Sequence, residues 1–327
     1  MKILITGGAG FIGSNLVDYF LEKGHQVVCL DNLATGKHEN LADALRHPGF
    51  TLMEGDIRNL DDCRRAVEGC EFVLHQAALG SVPRSIKDPI TTNEVNVGGF
   101  VNMLVAARDA GVKRFVYAAS SSTYGDSTSL PKVEEVIGNP LSPYAITKYV
   151  NELYASVFAR VYGMECVGLR YFNVFGRRQD PFGAYAAVIP LWVKQMISLE
   201  RPVINGQGEY SRDFTYVANV IEANEKAMLA NSDNLVNKEG FVNQVFNVAF
   251  GGNTTLNALF DTLKCNLSRF NPKIGNLEPV YGPYRDGDIP HSLASIEKAR
   301  QMIGYDPQYS AEQGFELACE WYWNNLK

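Results

Sequence analysis

The sequence predicts an α/β fold, a doubly wound parallel sheet followed by a smaller C-terminal α/β unit. Three observations carry that expectation. Short β-branched or aliphatic runs alternate with amphipathic stretches through the first half, the rhythm of repeated βαβ units. A glycine-rich turn, Gly7-Gly8-Ala9-Gly10-Phe11-Ile12-Gly13, separates the first run from the first amphipathic stretch. After Tyr171 the rhythm breaks into shorter segments and longer polar loops.

Taken in order, the first aliphatic run predicts a strand over Lys2 to Thr6, and the glycines pass into a helix over Phe11 to Lys23. Strands follow at Gln26 to Leu30 and Phe50 to Glu54, a helix at Leu60 to Glu68, and a strand at Phe72 to His75. A longer helix is expected over Val95 to Ala110, a strand over Arg114 to Ala119, a helix over Pro143 to Tyr162 and a strand over Met164 to Arg170. Loops are expected at Gly176 to Gly183, Asn205 to Ser211 and Asn271 to Asp288. The domain reading is therefore 1–172, with some later segments returning to it, and 173–327. With no internal repeat and no Ser- or Pro-rich linker, the two parts are expected to share an interface and a ligand cleft.

At 327 residues the chain is about twice the ~150 residues of a typical domain, long enough to bury a large core. Hydrophobic residues at 46% and charged residues at 20% exclude disorder and low-complexity scaffolds. Thirty basic against 36 acidic side chains give −6, so no whole-molecule field favours nucleic acid or anionic lipid. An anionic substrate would need a local basic pocket. Six scattered cysteines, without C-x-x-C or a His at ligand spacing, suggest reduced thiols, no metal site and a cytoplasmic protein. The early glycines break the apolar stretch a signal peptide needs, and no run of about 18 apolar residues predicts a membrane span.

The G-x-x-G-x-x-G spacing of Gly7, Gly10 and Gly13 suits a Rossmann phosphate turn, in which the backbone approaches a pyrophosphate at a helix N-terminus. Asp31 ends the second strand, where a carboxylate accepts the ribose hydroxyls of an adenosine and repels the extra phosphate of NADP, so NAD is expected. Asp56 and Ile57 are expected to hold the adenine, although an Asp there also serves as a helix cap. His75-Gln76-Ala77-Ala78 ends the fourth strand in small residues that let a dinucleotide pass.

Tyr144 and Lys148 stand four residues apart on one helix face. A phenol with a pKa near ~10 needs help to act as a base. An ammonium at ~4 Å contributes about 4 kcal/mol at an effective dielectric of ~20, so Lys148 and an oxidised nicotinamide are expected to bring Tyr144 down. Ser120-Ser121-Ser122-Thr123-Tyr124-Gly125 leaves the fifth strand at its carboxyl end and supplies a hydroxyl relay to a substrate alcohol.

Together with Asn139-Pro140-Leu141-Ser142-Pro143, Leu169-Arg170-Tyr171-Phe172-Asn173-Val174-Phe175-Gly176, Ser211-Arg212-Asp213-Phe214 and Arg285-Asp286-Gly287-Asp288-Ile289-Pro290, these motifs run the length of the chain. In them the sequence resembles the extended short-chain dehydrogenase/reductase family, and within it the UDP-hexose 4-epimerases of the bacterial UDP-N-acetylglucosamine subgroup. The resemblance implies a catalytic set of Ser120, Tyr144 and Lys148. It adds Asn32, Thr35, Gly36 and Phe172 to the NAD site, Phe172 near the nicotinamide. To the UDP-sugar it assigns Gly80, Ser81, Ser121, Ser122, Gln179, Ala187 and Val188, with Asn173, Arg212 and Arg285 on the diphosphate. Asp288 is implied at the ribose, Ile204 and Asn205 at the uracil, and a homodimer through helices 95–110 and 143–162.

The implied reaction oxidises C4, turns the 4-keto sugar and reduces it on the other face. A sugar-nucleotide 4,6-dehydratase would need an acid/base carboxyl pair where Ser121 and Ser122 stand, and a decarboxylase a Glu. An inactive NAD-binding subunit would not need Ser120, Tyr144 and Lys148. By resemblance Ser292 walls the pocket around the C2 substituent, and its small size favours an N-acetylated sugar over plain and uronic ones. The same Ser292 also suits the cap of a helix over Leu293 to Ile303.

Overall fold

The structure, a computed structural model, describes residues 1–182, 186–284 and 289–326. The chain opens with β1 (Lys2–Thr6), α1 (Phe11–Glu22), β2 (Gln26–Asp31), β3 (Phe50–Glu54), α2 (Leu60–Val67) and β4 (Phe72–His75). Two short helices, α3 (Val82–Lys87) and α4 (Pro89–Asn93), pass through a π-helical turn over Glu94–Gly99 into α5 (Phe100–Asp109). Then come β5 (Arg114–Ser120), α6 (Pro143–Tyr162), β6 (Cys166–Tyr171), β7 (Val174–Phe175) and α7 (Val188–Ile197). β8 (Val203–Asn205), β9 (Ser211–Arg212), β10 (Thr215–Tyr216) and α8 (Val217–Leu229) precede β11 (Asn243–Val248). The chain ends with β12 (Thr254–Thr255), α9 (Leu256–Ser268), β13 (Val280–Gly282), α10 (Glu297–Ile303) and α11 (Ala311–Asn325).

Seven strands form one parallel sheet in the order β11-β6-β5-β4-β1-β2-β3. Its strands read as unbroken aliphatic runs because both faces are covered. Along β1, Ile3 and Ile5 enter the apolar layer shared with Phe20 of α1 and Val220 of α8. Leu4 enters the opposite layer, with Phe100 of α5 and Phe158 of α6. The winding reverses at β1, between β4 and β2, and this opens a crevice at the carboxyl ends of the strands. A third core, with Trp192, Phe260 and Phe315, joins α7, α9 and α11 beside that crevice.

α6 carries its boundaries in its sequence. Ser142 caps it by accepting from Ala145 N at 3.1 Å, Pro143 starts it, and Gly163 ends it in the left-handed region at φ 68°. Three expectations need correction. The helix over 95–110 begins as the π turn, because Asn96 faces inward and holds both main-chain groups of Leu79. The expected loop 271–288 contains a 3₁₀ turn over Pro272–Asn276 and the strand β13, paired in parallel with β8. The helix expected from Leu293 starts only at Glu297, so Ser292 is not its cap. Residues 291–295 instead run extended, with Ser292 N donating to Ser211 O at 3.1 Å and Ser295 N donating to Lys132 O at 2.9 Å.

Candidate active site

The turn after β1 is held by backbone contact that only glycine permits. Gly7 has φ +67°, and a Cβ there would lie 2.7 Å from Ala77 N. At Gly13 a Cβ would come within 2.1 Å of Gly7 O. Gly10 caps α1 without a side-chain bond, and the first turn carries no acid, so its N–H groups at Phe11 and Ile12 are open to an anion. Asp31 is fixed by Ala9 N at 2.9 Å and Leu33 N at 2.8 Å, one on each carboxylate oxygen. Each oxygen keeps a lone pair for a ribose hydroxyl.

These residues line a cavity of about 450 Å³ that also takes in Asn32, Thr35, Asp56, Ile57, Gln76, Ala77 and Ala78. Gly36 supports the wall, since a Cβ there would meet Ala9 Cβ at 2.8 Å. Asp56 is gripped by Arg58 at 2.6 Å and Asn32 at 2.9 Å, and the Arg58 hydrogen bond above all holds its carboxyl down to about 2. It does not cap α2, a role taken by Asn59. Gln76, Tyr171 and Asn224 close a ring of hydrogen bonds of 2.9–3.1 Å that fixes the Gln76 amide. Thr6 Oγ1 accepts from Ala77 N at 3.2 Å and lies 2.9 Å from His75 Nδ1. A glycine cradle, an open helix N-terminus and an anchored carboxylate fit a dinucleotide with free ribose hydroxyls, the chemistry of NAD.

Ser120, Tyr144 and Lys148 also line this cavity. Lys148 Nζ donates to Ala118 O at 2.8 Å, and Ser122 donates to Ser120 Oγ at 2.8 Å through its hydroxyl and at 3.1 Å through its N–H. Tyr144 is located from its backbone, N donating to Ser85 Oγ at 3.0 Å. Thr147, held by Asn96 at 3.2 Å, donates to Tyr144 O at 2.8 Å. The lowering expected of Tyr144 rests in part on an oxidised nicotinamide; in the protein alone, burial raises its phenol, and a hydrogen bond with Ser120 offsets only part of the rise. Burial likewise brings Lys148 down to about 8.

A second cavity of about 560 Å³ adjoins the first, and Ser120 lines both. Ser121, Ser122, Asn173, Arg212 and Ser292 share its wall, as does Phe172, which the resemblance put beside the nicotinamide. Asn173 adopts φ 36° and donates to Asp213 O at 3.1 Å, a strained turn at the cavity edge. Arg212 donates to Ser211 O at 2.9 Å and Pro290 O at 3.2 Å.

Other expected substrate residues lie elsewhere among the described residues. Gly80 lines the first cavity, and the Ser81 hydroxyl caps α3 by accepting from Arg84 N at 3.2 Å. The Gln179 amide donates to Val174 O at 3.0 Å, Ala187 and Val188 begin α7, and the Ile204 side chain belongs to the third core, with Asn205 next to it on β8. Arg285 and Asp288 lie outside the described residues. Wall residues not anticipated include Leu79, Thr91, Val95 and Tyr171 in the first cavity and Val82, Ile86, Tyr124 and Lys132 in the second. Tyr124 and Tyr171, each inside a quoted motif, carried a sequence signal.

A family model described as the NAD dependent epimerase/dehydratase family matches residues 3–249. A putative UDP-glucose 4-epimerase of Methanocaldococcus jannaschii is 36% identical over 99% of both chains. Among solved structures, the UDP-glucose 4-epimerase of Thermotoga maritima with UDP-glucose aligns over 100% of both chains at 38% identity, TM-score 0.89. The UDP-N-acetylglucosamine 4-epimerase of Methanobrevibacter ruminantium M1, in complex with UDP-N-acetylmuramic acid, aligns over 99% of this chain and 98% of that one at 35% identity, TM-score 0.90.

Proposed function

The chain belongs to the NAD dependent epimerase/dehydratase family, and on that premise we propose that it inverts C4 of a UDP-hexose, interconverting UDP-N-acetylglucosamine and UDP-N-acetylgalactosamine. The observation that carries the reading is Ser120, whose position on both cavity walls makes their junction the reacting point. NAD in the first cavity supplies a reversible hydride acceptor for C4. Tyr144, with Ser120, takes the proton of the C4 hydroxyl and returns it after the ketone has turned. Because burial favours the neutral phenol, Tyr144 waits protonated until positive charge gathers beside it. Lys148, tethered to Ala118 O and one turn along α6 from Tyr144, supplies one such charge. Arg212 holds the diphosphate about which the sugar turns.

The 3₁₀ turn Ser121–Tyr124 bears no carboxylate, so it lacks the acid/base pair that elimination requires. The relatives include a UDP-glucose 4-epimerase and a UDP-N-acetylglucosamine 4-epimerase, and the small Ser292 in the second cavity favours the acetylated pair. Purified protein given UDP-N-acetylglucosamine, UDP-glucose and UDP-glucuronate should epimerise the first with a kcat/KM advantage of ~10- to 200-fold. Ser292→Tyr should abolish that reaction and spare part of the UDP-glucose reaction. A wild-type preference for UDP-glucose, or a Tyr variant at full rate on the acetylated sugar, overturns the assignment.

The enzyme acts as a homodimer in this reading. Ile146, Leu153, Val157 and Val161 form an apolar stripe along α6, exposed by 52%, 49%, 42% and 59%. A second copy of this helix would cover it, and a monomeric mass in light scattering would refute that. No helix among the described residues is long and apolar enough to cross a membrane.

A further inference from the structure

Lys132 is a buried cation in the wall of the second cavity for which the mechanism above has no use. The residue is 4% exposed, and among the described residues its ammonium has one partner, the main-chain carbonyl of Ser127. No carboxylate of the described residues pairs with it. An ammonium carries three donors, so two remain for something else. Burial lowers its pKa, the sign of a charge kept where water does not serve it. A cation with spare donors in a ligand cavity calls for a ligand that brings acceptor oxygens.

Its backbone identifies the part of the ligand it meets. Lys132 N donates to Leu293 O at 2.8 Å, Ser295 N donates to Lys132 O at 2.9 Å, and Lys132 bridges Ala294 in parallel. Lys132 is thereby fastened to the strap that directly follows Ser292, and the two side chains share one wall. Arg212 lies on a different strand, β9, and in the proposed function holds the diphosphate, while Lys132 shares the wall of Ser292 and so stands on the side read as the sugar's C2 pocket. We propose that Lys132 is a specificity-determining residue that donates a hydrogen bond to the carbonyl oxygen of the sugar's 2-acetamido group. This rests on the reading of Ser292 as the wall around the C2 substituent. A plain hexose offers only a hydroxyl there, shorter by the whole acetyl arm.

Lys132→Met keeps the length and the apolar stem of the side chain and removes its donors. Its kcat/KM should be measured with UDP-N-acetylglucosamine, UDP-glucose and UDP-glucuronate, together with the inhibition constant of UDP, which has no sugar. The acetylated substrate should lose ~10- to 100-fold, the acetylated-to-plain ratio should fall by a similar factor, and UDP inhibition should hold within about threefold. Lys132→Gln, which retains a neutral donor, should recover part of the ratio, and it serves as the test if the Met variant does not fold. If both substrates fall together and the ratio stands, Lys132 is structural and the proposal fails while the substrate reading survives. A loss confined to UDP-glucuronate overturns it in favour of a carboxylate. A wild-type preference for UDP-glucose overturns the substrate reading and this proposal with it.

Discussion

The first cavity takes much of its wall from main chain within residues 7–80: the glycine turn, Asp31 pinned by two N–H groups, and the small residues after β4. The second gathers side chains from distant segments around Ser120, Lys132, Phe172, Arg212 and Ser292. A site made of backbone tolerates few substitutions at its glycines and accepts one invariant group. A site made of side chains can be re-cut for another sugar without moving the fold. In the proposed reading, cofactor and chemistry belong to the first region and substrate choice to the second.

The sharpest way to break that division is Tyr144→Phe, which removes one hydroxyl at the junction. Turnover should fall by at least ~100-fold, and as much as ~10,000-fold, while NAD content and UDP binding persist. Near-normal kcat would move the proton transfer to the serines. The next largest effect belongs to the seam between the regions. Arg170 is 3% exposed, bonds Glu152 at 2.9 and 2.8 Å, and stacks over Tyr124 of the second cavity at 4.8 Å. Glu152 lies one turn beyond Lys148 on α6, so this pair ties α6 to the wall of the second cavity. Arg170→Met should cost about 3–5 kcal/mol, because it leaves a buried carboxylate unpaired, and denaturant midpoints would measure it. An unchanged midpoint would show that the two regions do not depend on this tie.

Gly13→Ala tests the backbone-built side alone. With a Cβ 2.1 Å from Gly7 O, the turn must shift, at about 1–3 kcal/mol, and the protein should purify with far less NAD. Full NAD occupancy in that variant would mean the cradle is more plastic than its contacts imply. A smaller effect comes from pH. Burial, and secondarily the charge of Lys148, lower His75 from 6.5 to about 3. The unfolded chain therefore binds the extra proton between those values, so this contribution is complete above about 6.5 and is lost as pH falls toward 3. The loss should be on the order of a few kcal/mol, and His75→Gln should flatten the acid limb of a stability-against-pH curve. An identical acid limb in the variant would assign it to other groups.

The same division explains what could be read from the amino acids alone. β1, β3, β4 and α6 fall at the expected residues because short apolar runs between polar residues or glycines, and a Ser-Pro start with a glycine end, are local signals. Asp31 and the glycines declare the first cavity for the same reason. β7, β9, β10 and β12 are two residues long, too short for any period to register, and β11 joins the sheet only because β6 offers it an edge. Lys132 reads as an ordinary surface lysine until the strap from Leu293 to Ser295 closes over it. Tyr144 sits in the expected helix, but the burial that raises its phenol is a property of packing.

The proposed reaction is hydride removal from C4 and its return to the same carbon. UDP-N-acetylglucosamine carrying deuterium at C4 should be incubated with the enzyme to equilibrium and the products examined by proton NMR. The predicted result is UDP-N-acetylgalactosamine with the deuterium retained at C4 and none found at C6 or in solvent. Deuterium transferred to C6 would mark elimination, and its loss to water would mark a proton-exchange route, and either would contradict the mechanism assigned to Ser120 and Tyr144.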